Sequence, residues 1–157
     1  MVDIFLQLPG IPGPSSATGH EQWIELTRAS WGVDGAGAVH QGGGAGRGRA
    51  TPDPLVVTAP TSTATPLVFE AIVTGRRFAQ ATLEVVRPGQ VQHTAIRWEF
   101  ADVQLTALDV SGAEPGFEDV FRVEARRARV AVIPPHPRGG ESLNVTRGWD
   151  FAQSRPW

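Results

Sequence analysis

Side chains alternate over two long runs, Val91 to Val110 and Phe117 to Ile133, with only the Ser111–Gly116 turn between them. A period of two over so many residues commits the middle of the chain to extended strands. In the first run Ile96, Trp98 and Phe100 share a face, and Val103 and Leu105 resume on the opposite parity. The apolar face therefore slips by one residue at Ala101–Asp102, which predicts a bulge there. In the second run Phe121, Val123 and Ala125 oppose Arg122, Glu124 and Arg126. Shorter alternating stretches predict further strands at Asp3–Leu8, Gln22–Trp31, Leu55–Thr58, Gln80–Arg87 and Leu143–Trp149, set apart by Pro and Gly clusters. Over Gln22–Trp31 the pattern sets Trp23, Thr27, Ala29 and Trp31 on one side and Ile24, Leu26, Arg28 and Ser30 on the other.

One segment breaks this rhythm. From Ser62 to Phe78 the apolar residues Leu67, Val68, Ala71 and Ile72 fall three and four apart, the period of a helix. Thr65 is placed to cap its start, Pro66 suits the first helical position, and Gly75 suits a left-handed stop followed by Arg76 and Arg77. A helix of about ten residues rich in β-branched side chains is marginal alone. Its stability must come from packing on a β-framework, with Val68 or Ile72 turned inward. Several strands, one helix and no βαβ rhythm predict a mainly β fold, a small antiparallel β-barrel of two packed sheets with one short flanking helix.

A length of 157 residues with 41% apolar and 19% charged side chains suits a single domain over 1–157 with a sizeable core. No run approaches the roughly 20 apolar residues of a membrane-spanning helix, and the MVDIFLQLPG start lacks the basic opening and long apolar stretch of a secretory leader, so neither membrane insertion nor a Sec-type leader is expected. The formal charge of −2 offers no general attraction for nucleic acid. Cysteine is absent, and all 14 basic residues are arginine, which excludes disulfides, thiolate metal sites, a P-loop lysine and a lysine Schiff base.

The remaining candidates for chemistry are weak. The glycine-rich stretch, eight glycines between Gly32 and Gly48, contains no GxGxxG register and buries too little apolar surface to order itself, so a flexible loop over about 34–49 is expected. His20, His40, His93 and His136 are widely spaced and read as solvated rather than as metal ligands. No GxSxG elbow is present, and the Asn144-Val-Thr146 sequon reads as chance. No enzyme activity, cofactor or metal is expected. Arg122, Arg126, Arg127 and Arg129 alternate on one strand with Glu118, Asp119 and Glu124, which fits a solvated, cross-paired strand or a subunit interface. The five tryptophans are expected in the core, except Trp157, expected exposed or docked on a partner.

Taken in order, Asp3-Ile-Phe-Leu-Gln-Leu-Pro-Gly-Ile-Pro-Gly13, Glu21-Gln-Trp-Ile-Glu-Leu26, Ala29-Ser-Trp-Gly-Val33, Pro66 to Phe78, Ala81 to Arg87, Trp98 to Gly112 and Gly148-Trp149-Asp150 resemble the Hcp family, the tube proteins of type VI secretion systems. The resemblance runs over almost the whole chain. It implies an Hcp-like barrel assembled as homo-hexameric rings that stack ring on ring, carry effectors, and pass from the bacterial cytoplasm to the outside or into a target cell by contraction of a sheath. Sheath, spike and effector proteins are the partners it implies. A tail-tube protein of a phage or other contractile device, and a monomeric barrel that binds a small ligand, are the alternatives. The Asp34–Arg49 loop and the Pro134–Glu141 insert depart from the family pattern, and with seven residues after Asp150 no toxin domain is expected. The residues expected at ring-stacking or subunit contacts are Gly35, Gly37, Arg47, Arg49, Arg126, Arg127 and Arg129.

Overall fold

The two long alternating runs fold back on each other as antiparallel partners. This is seen in a computed structural model that describes residues 1–35, 49–135 and 144–157. Strands β1 (Asp3–Gln7), β2 (Ile24–Leu26), β3 (Arg28–Ser30), β4 (Val33–Asp34), β5 (Thr51–Pro52) and β6 (Leu55–Pro60) precede helix α1 (Thr65–Val73). After it come β7 (Arg77–Arg87), β8 (His93–Ala113), β9 (Gly116–Val132), β10 (Val145–Asp150) and β11 (Arg155–Pro156). β8 and β9 pair from Ile96↔Val132 out to Ala113↔Gly116, so only Glu114 and Pro115 make the turn and both strands run further than the sequence indicates.

The main sheet has nine strands, and β4–β5 form a separate two-stranded one. Its ladders join β2 to β1, β1 to β7, β7 to β8, β8 to β9, β9 to β6 and β6 to β3. Among the described residues no ladder closes this sheet into a full barrel; β2 and β3, successive pieces of one extended segment, link its two ends through the chain itself. The predicted strand over Gln22–Trp31 is thus split at Thr27, whose N–H bonds to the Thr58 carbonyl as pairing passes from β1 to β6. Parity changes at the same point. Ile24 and Leu26 are buried before it, whereas Ala29 and Trp31 pack on the core after it. The barrel-like form therefore depends on a bend that a single alternating pattern does not display.

The predicted slip at Ala101–Asp102 is present, although its form differs from an inserted residue. Asp102 has φ 53°, and the rungs Phe78↔Val103 and Gln80↔Ala101 on one side match Ala101↔Arg127 and Val103↔Ala125 on the other. Register is kept while the buried set changes from Phe100 to Val103 and Leu105 on β8, from Ala81 and Leu83 to Phe78 on β7, and from Ala128 to Val123 and Phe121 on β9. The three strands kink together, and each keeps its apolar side chains on one core. True register shifts lie elsewhere, between Val85 and Val86 and between Leu105 and Ala107.

Phe100, Phe121, Leu6, Ile11, Leu55, Leu83 and Leu105 are the largest fully buried side chains. The tryptophans do not fill the core as expected: Trp23, Trp31, Trp98 and Trp149 are all only half-buried. Aliphatic residues and phenylalanine fill the interior without a ring N–H that needs a partner, whereas the Trp98 ring N–H is buried without one.

Helix α1 begins one residue earlier than the sequence marks, with Ala64 as its cap and Pro66 in the first turn. Thr65 instead uses its hydroxyl to accept from the Ser62 N–H and to donate to the buried Asp119 carboxylate, which also accepts from Thr61 at 2.6 Å. The helix ends as predicted. Gly75 has φ 63°, its N–H bonds to the Ile72 carbonyl, and the Arg76 N–H bonds to that of Ala71, a two-bond left-handed stop. A methyl at Gly75 would meet nothing closer than 4.0 Å. Gly75→Ala is therefore expected to lose only the backbone preference, about 1 kcal/mol, as a lower urea midpoint with an unchanged slope.

Candidate functional site

Of the residues expected at assembly contacts, Gly37 and Arg47 lie outside the described residues. Gly35 and Arg49 are both exposed and flank the small β4–β5 ladder, in which Val33 pairs Pro52 and Asp34 pairs Thr51. The ladder brings Asp34 close to Asp53, and its charge pushes the Asp53 carboxyl above the usual aspartate range.

Arg126, Arg127 and Arg129 sit where β9 is covered by β10, and the structure turns them toward the C-terminal segment. Arg127 Nε donates to Asp150 Oδ2 at 3.0 Å, and Arg126 Nε lies 3.8 Å from Oδ1. The same carboxylate accepts from the backbone N–H groups of Ala152 and Gln153 at 3.0 and 2.9 Å, closing the turn after β10. Asp150 is 2% exposed. The Gln153 N–H is the main influence holding its carboxyl below the usual range; burial opposes this, and Arg127, the Ala152 N–H and Arg126 reinforce it. Arg129 reaches Glu99 at 3.3 Å and lies 4.2 Å over the Trp157 ring. Trp157 is thus docked on its own strand rather than exposed or held by a partner, and its N–H bonds to the Gly148 carbonyl at 3.2 Å. Gly148 permits this approach, since a Cβ there would stand 2.5 Å from the Trp157 carbonyl oxygen. The partners of these arginines are Asp150 and Glu99, far along the chain, and not the neighbouring Glu118, Asp119 and Glu124.

His20 is not solvated as its loop position suggested. It is buried, its ring stacks on Phe5 at 4.3 Å and meets the Trp23 ring edge-on at 4.8 Å, and its Nε2 lies 2.6 Å from Glu84 Oε2. Glu84 also accepts from Arg97 Nε at 2.7 Å and Thr94 Oγ1 at 3.2 Å. Phe5 and Glu84 are directly paired across β1 and β7. The outer face of that pair, which alternation assigns to solvent, is covered here by the segment that carries His20. Burial pushes the Glu84 carboxyl up, but the hydrogen bonds from His20 and Arg97 and the charge of Arg97 outweigh it and hold the group below the usual glutamate range. Nothing local in the sequence ties residue 20 to residue 84.

Sequence reasoning also missed a set of exposed apolar side chains: Phe69 and Val73 on α1, and Val110 and Phe117 on the β8–β9 ribbon. Phe69 lies off the Val68, Ala71 and Ile72 face, so the helical period already marked it as outward. A groove of about 350 Å³ opens between Trp31, Val130, Gly148, Trp149 and Phe151. Among the described residues no three His, Asp or Glu side chains are grouped to hold a metal ion, and no helix is long and apolar enough to cross a membrane.

The sequence matches the family model described as "Type VI secretion system effector, Hcp" over residues 5–131. Solved structures share the fold, among them the following three. Hcp1 from Salmonella typhimurium is 21% identical with a TM-score of 0.82, covering 99% of each chain. A structure described as a type six secretion system protein is 21% identical with a TM-score of 0.90 and covers 100% of both chains. A type VI secretion system effector from Yersinia pestis is 16% identical with a TM-score of 0.74, covering 94% of this chain and 98% of the other. Among curated proteins none matches the sequence.

Proposed function

The chain belongs to the Hcp family of type VI secretion proteins, and on that basis we propose that it is a tube subunit, a non-enzymatic protein that forms homo-hexameric rings, stacks them ring on ring and carries effectors out of the bacterial cell. The family match over 5–131 carries this reading. Sheath and spike proteins are its further partners, and export is by contraction. A ring requires two different patches on each subunit that meet head to tail. Exposed apolar side chains at Phe69, Val73, Val110 and Phe117 supply surface for such contacts. Gly35, Gly37, Arg47 and Arg49 are proposed for contacts between rings, and the solvent-facing parts of Arg126, Arg127 and Arg129 for contacts between subunits.

Native mass measurement of the pure protein at micromolar concentration is expected to give about six subunits, and negative-stain images are expected to show rings. A second arm tests the stacking role. Replacing residues 36–48 with a short turn leaves the Asp34↔Thr51 rung in place, and loop length has a weak effect on stability. Rings of this variant are expected to persist while tubes are lost. A monomeric wild type overturns the tube reading; tubes from the shortened chain, or rings that fall apart, overturn the role given to the loop.

A further inference from the structure

We propose that the tip of the β8–β9 ribbon of one copy docks in the Trp31–Trp149–Phe151 groove of the next copy, a contact that rests on the tube-subunit reading and gives it a specific surface. β6 accompanies β9 to the Pro60↔Glu118 rung, and the Thr61 N–H after it still bonds to the Phe117 carbonyl, while β8 and β9 go on pairing to Ala113↔Gly116. Only the end of the ribbon past that point is two-stranded, but every residue from Asp109 to Glu118 is exposed. A two-stranded end is marginal in water, and the ribbon leading to it presents apolar surface. Val110 is 49% and Phe117 67% exposed. Gly112 faces Phe117 across the ladder, and a Cβ there would come within 2.4 Å of the ring, so the glycine seats the ring flat on the face it shares with Val110.

Charge selects the occupant of the groove. The tip carries Asp109, Glu114 and Glu118 and no cation between them. Among the described residues none of these three is in an ion pair, and Arg147, on the β10 rim of the groove, has no carboxylate partner either. Arg49 adds a second positive charge beside Ala50. Asp34 and Asp53 lie in and beside the same β4–β5 ladder as Arg49, so Arg147 on β10 is the cation that draws the acidic tip. A second copy is the fitting source, because Phe117 and Val130 stand at opposite ends of β9. At about 3.3 Å per residue they are roughly 40 Å apart along the strand, so no molecule can fill its own groove. Repetition of a knob at one end and a hole at the other produces a ring or a filament.

The chain has no cysteine, which allows a clean cross-linking test. The double variant Ala113→Cys/Ala50→Cys, treated with a short thiol-reactive cross-linker, is expected to give a ladder of covalent multimers on a denaturing gel, with each single variant giving none. In parallel, Phe117→Arg is expected to raise the concentration needed for assembly at least tenfold with an unchanged melting temperature. If wild type assembles but the double variant gives no ladder, or Phe117→Arg assembles as wild type does, the contact is wrong and the tube reading stands. If wild type stays monomeric at every concentration, both fail.

Discussion

Val68→Asp is expected to lower stability by about 3 to 5 kcal/mol, because it places a carboxylate without a partner in an apolar contact. Val68 is 1% exposed and belongs to the same core as Phe78, Val103 and Leu105. Helix α1 is nine residues long and has no side-chain cap bond at its Ala64 cap, so it holds its shape by packing rather than by propensity. A loss of that size in a chain of this length lowers the melting temperature on the order of 10 °C. Phe69→Asp, compared at a concentration where the protein is monomeric, is the control. Its side chain is 59% exposed, and a substitution there is expected to stay within about 0.5 kcal/mol. Equal melting temperatures for the two variants would show that the inward face of the helix is misassigned.

Glu84→Ala is expected to cost about 3 kcal/mol, near the lower end of the range for removing one partner of a buried pair. The carboxylate holds His20, Thr94 and Arg97 together on the outer face of β1, β7 and β8. Arg97 is 42% exposed at its side chain and can turn to water, whereas His20, at 8%, cannot do so without moving its loop. The pH dependence follows from the direction of the shift. The folded carboxyl titrates below the unfolded one, so its contribution is fully present above the ordinary glutamate value of about 4.3 and is lost as pH falls through the lower folded value. Chemical denaturation of wild type and Glu84→Gln across that acid range tests this: the gap between them should close as pH falls. A gap that stays constant to pH 3 would mean that the ionised carboxylate is not what holds the network.

Local patterns in the sequence determined most of the secondary structure. Alternation placed the long strands, the parity slip placed the kink at Asp102, and Gly75 placed the end of the only helix among the described residues, because each depends on the conformational preferences of neighbouring residues. Resemblance along the chain pointed to the Hcp family, which the family match bears out. Tertiary structure decided which strands meet and what covers their outer faces. It split Gln22–Trp31 at Thr27, where hydrogen bonding passes from β1 to β6, and it carried His20 across to Glu84, 64 residues away. It also drew Arg126 and Arg127 to Asp150 and laid Trp157 under Arg129. These partners are chosen by charge, shape and hydrogen bonding between segments that only the folded chain brings together, and a period of two or 3.6 residues carries no record of them.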